Sequence, residues 1–192
     1  MRTGRMTPYN QGLGFSAVLS KYFEFALNIS ELLSPINEDM KAVDAVIRER
    51  LNSDVVLIRT VGDYIIQAGG KRMRPAMLLM VARALGYEGA MHHLLAAVVE
   101  FIHTSTLLHD DVVDESDLRR GRSTANAVFG NAASVLVGDY LYSRSFEMMV
   151  EADSMRVMQV FSKATTIIAE GEVLQLLNVH DPDVSLERYL QV

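Results

Sequence analysis

Asp110 and Asp114, two aspartates one helical turn apart, are the side chains best placed for chemistry in this sequence. They lie in the run HDDVVD at residues 109–114, which also contains Asp111. Carboxylates four residues apart on a helix share one face and repel each other, so they favour a hard divalent cation such as Mg²⁺, which also binds phosphate oxygens. A solvated acidic helix end is the alternative. The leucines and valines in and before the run predict partial burial, however, and buried carboxylates need partners.

A basic segment at residues 69–75 could bind the phosphate that such a metal would share. It reads GGKRMRP and places Lys71, Arg72 and Arg74 directly after two glycines. A glycine turn that opens a helix can hold an anion through backbone N–H groups, the helix dipole and arginine side chains. It is not a P-loop, because the required glycine–lysine spacing is absent. A basic loop that only caps a helix is the alternative, and we expect Arg72 to support the turn.

Composition limits the other classes of function. The chain has 192 residues, enough for one domain, and a formal net charge of −6, which argues against non-specific nucleic-acid binding. It contains no cysteine, which excludes disulfides and thiolate catalysis and fits a reducing, cytoplasmic location. No uncharged apolar run reaches the roughly 18 residues that a membrane span needs.

The elements that must position these residues are helices, because apolar residues recur at helical spacing along most of the chain. Residues 55–58 could also form a strand, but no partner strand is evident. We expect residues 1–30 to form an irregular N-terminal extension and residues 31–192 one all-α helical domain. Helices are predicted over residues 37–51 with Asn37 as the cap, from Ser53 or Asp54 to Gly69, and over 74–85, 90–114, 134–150 and 154–177, with a further short helix capped by Ser185.

The helix predicted over residues 90–114 carries a stripe of polar residues. At 100° per residue, His103, Asp110 and Asp114 fall within about 40° of one another. His103 is therefore either a core histidine or a hydrogen-bond donor to a phosphate. His109 lacks this relationship, and we treat it as structural.

Taken together, these runs resemble the trans-polyprenyl diphosphate synthases, prenyltransferases that add isopentenyl diphosphate to an allylic diphosphate. The resemblance covers residues 32–192 and is strongest to the bacterial long-chain branch, the octaprenyl diphosphate synthases. It is carried by GGKRMRP, HTSTLLHDDVVDESDLRRG, GNAASVLVGDY and EGEVLQL, in the family's order and spacing. The family's second DDxxD cluster and the Lys-Thr pair before it do not occur before Val192. We therefore expect the N-terminal portion of an isoprenoid-synthase helical bundle, inactive by itself.

The resemblance also implies a reaction and its partners. It implies an enzyme, dependent on Mg²⁺ or Mn²⁺, that makes a long-chain (octaprenyl) all-trans product for quinone side chains. Farnesyl diphosphate is the expected allylic substrate and a homodimer the expected assembly. The implied ligands of isopentenyl diphosphate are Lys71, Arg74, His103 and Arg120. Arg119 would contact the allylic diphosphate, and the metal would be held by Asp110 and Asp114, with Asp111 in the same cluster.

Product length would depend on residues one turn before Asp110, where the growing tail passes. Here they are Ser105 and Thr106, which are small and would leave a tunnel open. Close packing between helices is the alternative role for both.

Two other functions stay open. The first is an inactive subunit that binds a complete synthase and modifies it. The second is a terpene cyclase, which also uses DDxxD with Mg²⁺. GGKRMRP and the adjacent Arg119 and Arg120 argue against the cyclase, because a cyclase has no second diphosphate substrate to hold.

Overall fold

The computed structural model describes residues 29–192, and their architecture is a helical bundle, which confirms the predicted all-α class. The predicted extension at residues 1–30 lies outside the described residues except for Ile29 and Ser30, which begin a helix, and its irregular character stays a prediction. The elements are α1 (Ile29–Leu33), a 3₁₀ turn (Ser34–Ile36), α2 (Asn37–Arg50), α3 (Val56–Gln67), α4 (Met73–Ala84), α5 (Met91–Val113), β1 (Leu118–Arg119), β2 (Arg122–Ser123), α6 (Ala125–Phe129), α7 (Asn131–Glu151), α8 (Met155–Asn178) and α9 (Leu186–Tyr189).

Helix α5 lies at the centre of the bundle because its residues are apolar or small around most of its circumference. It packs along α7, and serine hydroxyls tie the two helices together. Ser105 Oγ donates to the carbonyl oxygen of Gly138 at 2.8 Å, and Ser134 Oγ donates to that of Leu108 at 2.9 Å. Gly138 has no room for a side chain, because an added Cβ would collide with the ring of His109. These small residues let α5 and α7 approach closely. The core around them is formed by Val43, Ile47, Val61, Leu79, Ala97, Val98, Phe101, Leu108, Leu141, Met148 and Met149.

One local prediction is wrong. Asn37 is the first residue of α2 and not its cap; Ile36 precedes the helix without a side-chain hydrogen bond. At residues 55–58 the predicted helix is present and the alternative strand is not, because α3 begins at Val56. Ser185 caps α9 as predicted, accepting a hydrogen bond from the backbone N–H of Arg188, and Ser154 caps α8 by accepting from that of Val157.

A two-residue hairpin after α5 was not expected from the sequence. β1 pairs with β2 in an antiparallel register that matches Leu118 with Ser123. The turn between them has positive φ at both central residues, 54° at Arg120 and 77° at Gly121. This combination is typical of a type I′ turn, whose twist matches that of a hairpin. The hairpin therefore sends two adjacent arginines in different directions.

Among residues 29–192, no helix is both long enough and apolar enough to cross a membrane.

Candidate functional site

Two cavities lie against α5 near its C-terminal end. The first, of about 530 Å³, is lined by the turn before α4, by α5 and by Arg120 of the hairpin. The second, of about 1280 Å³, lies among α5, α7 and α8. The same helix therefore contributes polar groups to both, with His103 in the first cavity and Asp110 and Asp114 in the second.

The first cavity is basic. Lys71, Arg74 and Arg120 line it, and two of these are held in place by hydrogen bonds. Arg74 Nη1 lies 3.0 Å from His103 Nε2, and Arg120 Nη1 donates to the carbonyl oxygen of Gly69 at 2.6 Å. The missing side chain of Gly70 makes the second contact possible, because a Cβ there would lie 2.8 Å from Arg120 Nη1. The glycine turn thus brings a hairpin arginine to the same cavity as the basic segment.

Glu100 is the carboxylate in this cavity, and Arg72 neutralises it. Arg72 Nη1 lies 2.9 Å from Glu100 Oε1, and both side chains are largely buried. Arg72 has φ 47°, so its backbone also completes the turn before α4. The ion pair leaves the positive charge of Lys71, Arg74 and Arg120 available to an anion. As the sequence predicted, Arg72 supports the turn.

His103 is neutral in this setting. Burial first, and then the neighbouring guanidinium groups, lower its pKa to about 4. Because arginine has no acceptor, the Arg74 contact makes His103 Nε2 the acceptor and places the ring proton on Nδ1. The histidine therefore fixes the orientation of the Arg74 guanidinium group and keeps one N–H donor of its own.

The second cavity is acidic at one end. Asp110, Asp114 and Glu172 line it together, and Glu172 comes from α8. Burial first, and then the charges of Glu172 and Asp114, raise the pKa of Asp110 above its usual range. Such a cluster of like charges is costly unless a cation joins it. Sequence reasoning missed Glu172, although EGEVLQL was among the motifs.

Asp111 has a different role from its neighbours. Its side chain is buried, and Arg119 Nε donates to Asp111 Oδ1 at 2.8 Å, with Arg119 Nη2 in ion-pair contact with the same oxygen at 2.8 Å. The backbone oxygen of Asp111 accepts from Asn126 Nδ2 at 3.2 Å. The Asp111–Arg119 ion pair thus anchors the hairpin to the end of α5. It also directs both side chains away from the Asp110–Asp114 pair, as neither Asp111 nor Arg119 lines the second cavity.

The rest of the second cavity is suited to an apolar chain. Ser105 and Thr106 line it one turn before Asp110, together with Tyr142 of α7 and Ile168 of α8, and their role in product length stays a prediction. Ser105 is buried and bonded to α7, so it also serves the packing role that was its alternative. Thr106 is half-buried, and its hydroxyl donates to the carbonyl oxygen of His103 within α5.

Comparison with known proteins decides the family. Residues 55–192 match the family model described as polyprenyl synthetase. This chain belongs to the polyprenyl synthetase family. It is 57% identical to the octaprenyl diphosphate synthase of Escherichia coli (strain K12) over 86% of this chain and 51% of that protein. It is 49% identical to an all-trans-nonaprenyl-diphosphate synthase (geranyl-diphosphate specific) of Rhodobacter capsulatus, over 84% of this chain and 50% of that protein.

The solved structures agree with this assignment. A polyprenyl synthase from Caulobacter crescentus CB15, complexed with calcium and isoprenyl diphosphate, superposes with a TM-score of 0.82 at 48% identity, covering 85% of this chain and 50% of that one. The isoprenoid-synthase bundle expected from the sequence is thus confirmed. The chain spans about half the length of the curated relatives it matches.

The donors present in this polyprenyl synthetase chain fit a hard divalent ion. Asp110 and Asp114 are carboxylates on a half-buried helix end, and Glu172 adds negative charge. Their oxygens, with those of Asp111, do not form a group of three within 4.8 Å. Mg²⁺ commonly uses one or two carboxylates, completing its shell with water and substrate phosphate, so an open pair suffices. The metal roles of Asp110, Asp111 and Asp114 stay predictions.

Proposed function

We propose that this chain carries both diphosphate sites of a long-chain polyprenyl diphosphate synthase and the first of its metal clusters. The observation that supports it most is the division of charge across α5. A basic cavity lies on one side, and an acidic cavity that continues into apolar walls lies on the other. A reaction that joins two diphosphates needs two such places side by side.

In this proposal isopentenyl diphosphate occupies the first cavity. Lys71, Arg74 and Arg120 neutralise its diphosphate directly, and the Nδ1–H of His103 is a further donor. Because Arg72 neutralises Glu100, the positive charges of Lys71, Arg74 and Arg120 remain available to the diphosphate. The site therefore needs no metal.

The allylic diphosphate occupies the second cavity in the same proposal. Asp110 and Asp114 hold Mg²⁺ or Mn²⁺, which when bound neutralises charge on the departing diphosphate. Ionisation breaks the carbon–oxygen bond and leaves an allylic cation, which the double bond of isopentenyl diphosphate attacks before a proton is lost. Ile168 and neighbouring apolar residues exclude water from the cation, and the tail extends past Thr106.

The comparisons support the long-chain part of the proposal. Proteins named as octaprenyl and nonaprenyl diphosphate synthases share 57% and 49% sequence identity with this chain over the aligned residues. We propose farnesyl diphosphate as the allylic substrate, an octaprenyl-type product, and a role in making quinone side chains. A cytoplasmic location stays a prediction.

A chimera tests the proposal. In it, this chain replaces the aligned half of the Escherichia coli octaprenyl diphosphate synthase, and labelled isopentenyl diphosphate is supplied with farnesyl diphosphate. Long-chain product that requires Mg²⁺ and disappears in Asp110→Asn and Asp114→Asn is the expected result. A folded chimera without product would instead favour the inactive partner subunit. The 192-residue chain alone, freed of host synthase, is expected to give no product.

Self-association is part of the same proposal. Helix α8 leaves several apolar side chains exposed among the described residues, and exposed apolar surface is a common feature of protein contacts. We expect the chimera to be a homodimer in size-exclusion chromatography with light scattering, and a monomer at all concentrations would contradict this. The exposed apolar side chains of α8 outside the second cavity include Val160, Ile167 and Leu177.

A further inference from the structure

A second group of metal-ligating side chains lies far from both cavities. Asp39 in the first turn of α2 meets His92 and His93 in the first turn of α5. One donor atom from each of the three residues lies within 4.8 Å of the other two. His92 precedes Asp110 by 18 residues on the same helix, which corresponds to roughly 27 Å at 1.5 Å per residue. The group therefore takes no part in the diphosphate chemistry.

The donor atoms converge on one point. His93 Nε2 lies 2.9 Å from Asp39 Oδ1, and His92 Nε2 lies 3.7 Å from the same oxygen. The two imidazole rings lie side by side with their centroids 3.9 Å apart and their planes tilted by 38°, and both Nε2 atoms are near the same carboxylate. Ligands around a tetrahedral zinc ion, with bonds of about 2.0 Å, are roughly 3.3 Å apart. The observed separations lie on either side of that value.

The surroundings of the group fit a metal better than a hydrogen-bonded tie alone. Arg83 Nε donates to Asp39 Oδ2 at 3.0 Å, which orients Oδ1 toward the histidines. Partners of this kind are typical around metal-binding carboxylates. His92 is 13% exposed, yet within the described residues its side chain makes no hydrogen bond and its Nδ1 is buried without a partner. His92 Nε2 lies 3.7 Å from Asp39 Oδ1, too far for a hydrogen bond, and a metal ion bound to both atoms would satisfy this nitrogen.

We propose that Asp39, His92 and His93 form a binding site for a zinc-class ion, with water as the fourth ligand. Two imidazoles and a carboxylate suit Zn²⁺ and its substitute Co²⁺, whereas Mg²⁺ prefers oxygen alone. The ion would join α2 to α5, and through Arg83 to α4. It would thereby fix α4, which follows the basic turn, against α2 and α5.

Cobalt reports this site separately from the acidic cavity. The purified 192-residue chain is stripped with chelator, saturated with Mg²⁺ to occupy the aspartates of the second cavity, and titrated with Co²⁺. A visible absorption band that saturates at one equivalent and is displaced by Zn²⁺ is the expected result. The band should vanish in His93→Gln and in Asp39→Asn, and persist in His180→Gln and in Asp110→Asn. Arg83→Gln should weaken Co²⁺ binding by roughly 10–100-fold, the usual effect of losing a supporting residue.

Thermal unfolding gives an independent measurement. Zn²⁺ should raise the Tm of the parent chain and of His180→Gln but leave that of His92→Gln unchanged. Circular dichroism of each variant without metal verifies that it is folded. If Co²⁺ gives no saturable band, or if the band survives in folded His93→Gln, the three side chains are only a hydrogen-bonded tie and the proposal is wrong. Loss of the band in Asp110→Asn would place the ion in the acidic cavity and also overturn it.

Discussion

The neighbouring carboxylates Asp110 and Asp111 should respond in opposite ways to the same change, aspartate to asparagine. Asp111 is 1% exposed and accepts a hydrogen bond from Arg119 Nε at 2.8 Å, within an ion pair that Nη2 completes. Hydrogen bonds to charged groups contribute about 1.5–3 kcal/mol each. Because Arg119 is 34% exposed and can regain water, we expect Asp111→Asn to lower the free energy of unfolding by about 2 kcal/mol. Mg²⁺ binding should change little.

Asp110→Asn should leave stability unharmed and abolish metal binding. Burial and the nearby carboxylates raise the pKa of Asp110, so its charge costs free energy in the folded state. Replacing it by an amide should change the free energy of unfolding by between zero and a gain of about 0.5 kcal/mol, the magnitude of a like-charge pair on a helix. Losing a ligand should weaken Mg²⁺ binding by more than the roughly 100-fold that a supporting residue can cost.

Urea unfolding followed by far-ultraviolet circular dichroism suits this chain, which has no tryptophan. Isothermal titration calorimetry with Mg²⁺ in the presence of inorganic diphosphate measures the affinity for the metal. Asp63→Asn, at an exposed position on α3, is the matched control and should alter neither quantity. If Asp111→Asn kept full stability and lost Mg²⁺ binding as Asp110→Asn does, Asp111 would be a ligand and the structural role assigned to its arginine pair would be refuted.

Three further results are expected. In the chimera, Thr106→Phe should shorten the products while turnover survives, because Thr106 lines the second cavity without bonding to α7; unchanged chain lengths would place the limit deeper in the bundle. Arg74→Lys should raise the KM for isopentenyl diphosphate more than that for the allylic substrate, since a point charge does not replace a planar fork; a rise in the allylic KM alone would contradict the assignment of the first cavity. Lowering the pH from 7 to 5 should lower the free energy of unfolding by about 1 kcal/mol through His103, a figure that allows for the ring's partial exposure. The pKa of His103 is about 4 in the folded chain and 6.5 ordinarily, so the unfolded chain takes up the proton first as the pH falls. In urea unfolding, His103→Gln should remove this pH dependence.

The long helices were predictable because their apolar periodicity is local. Helices α5 and α8 begin and end within two residues of their predicted bounds. The common location of Lys71 and Arg74 followed from their spacing, and adjacency alone indicated that Arg119 and Arg120 would diverge. The hairpin that produces this divergence has only a weak signal in the sequence, which is Gly121 at its turn.

Contacts between distant segments were not predictable from spacing. Asp39 precedes His92 by 53 residues, and only the packing of α2 against α5 brings their side chains together. Asp111 was grouped with its neighbours because an i, i+1 offset does not show which face of the helix is buried. Ser105 likewise combines two roles, since its hydroxyl is bonded to α7 while the residue borders the second cavity.

A crystal structure of the chimera with Mg²⁺, isopentenyl diphosphate and a thiolodiphosphate analogue of the allylic substrate tests the central claim most directly. We expect isopentenyl diphosphate to contact Lys71, Arg74 and Arg120 in the first cavity. We expect Mg²⁺ to bind Asp110, Asp114 and the diphosphate of the analogue in the second cavity. Both diphosphates in one cavity, or Mg²⁺ on Asp111 with its arginine pair broken, would contradict it.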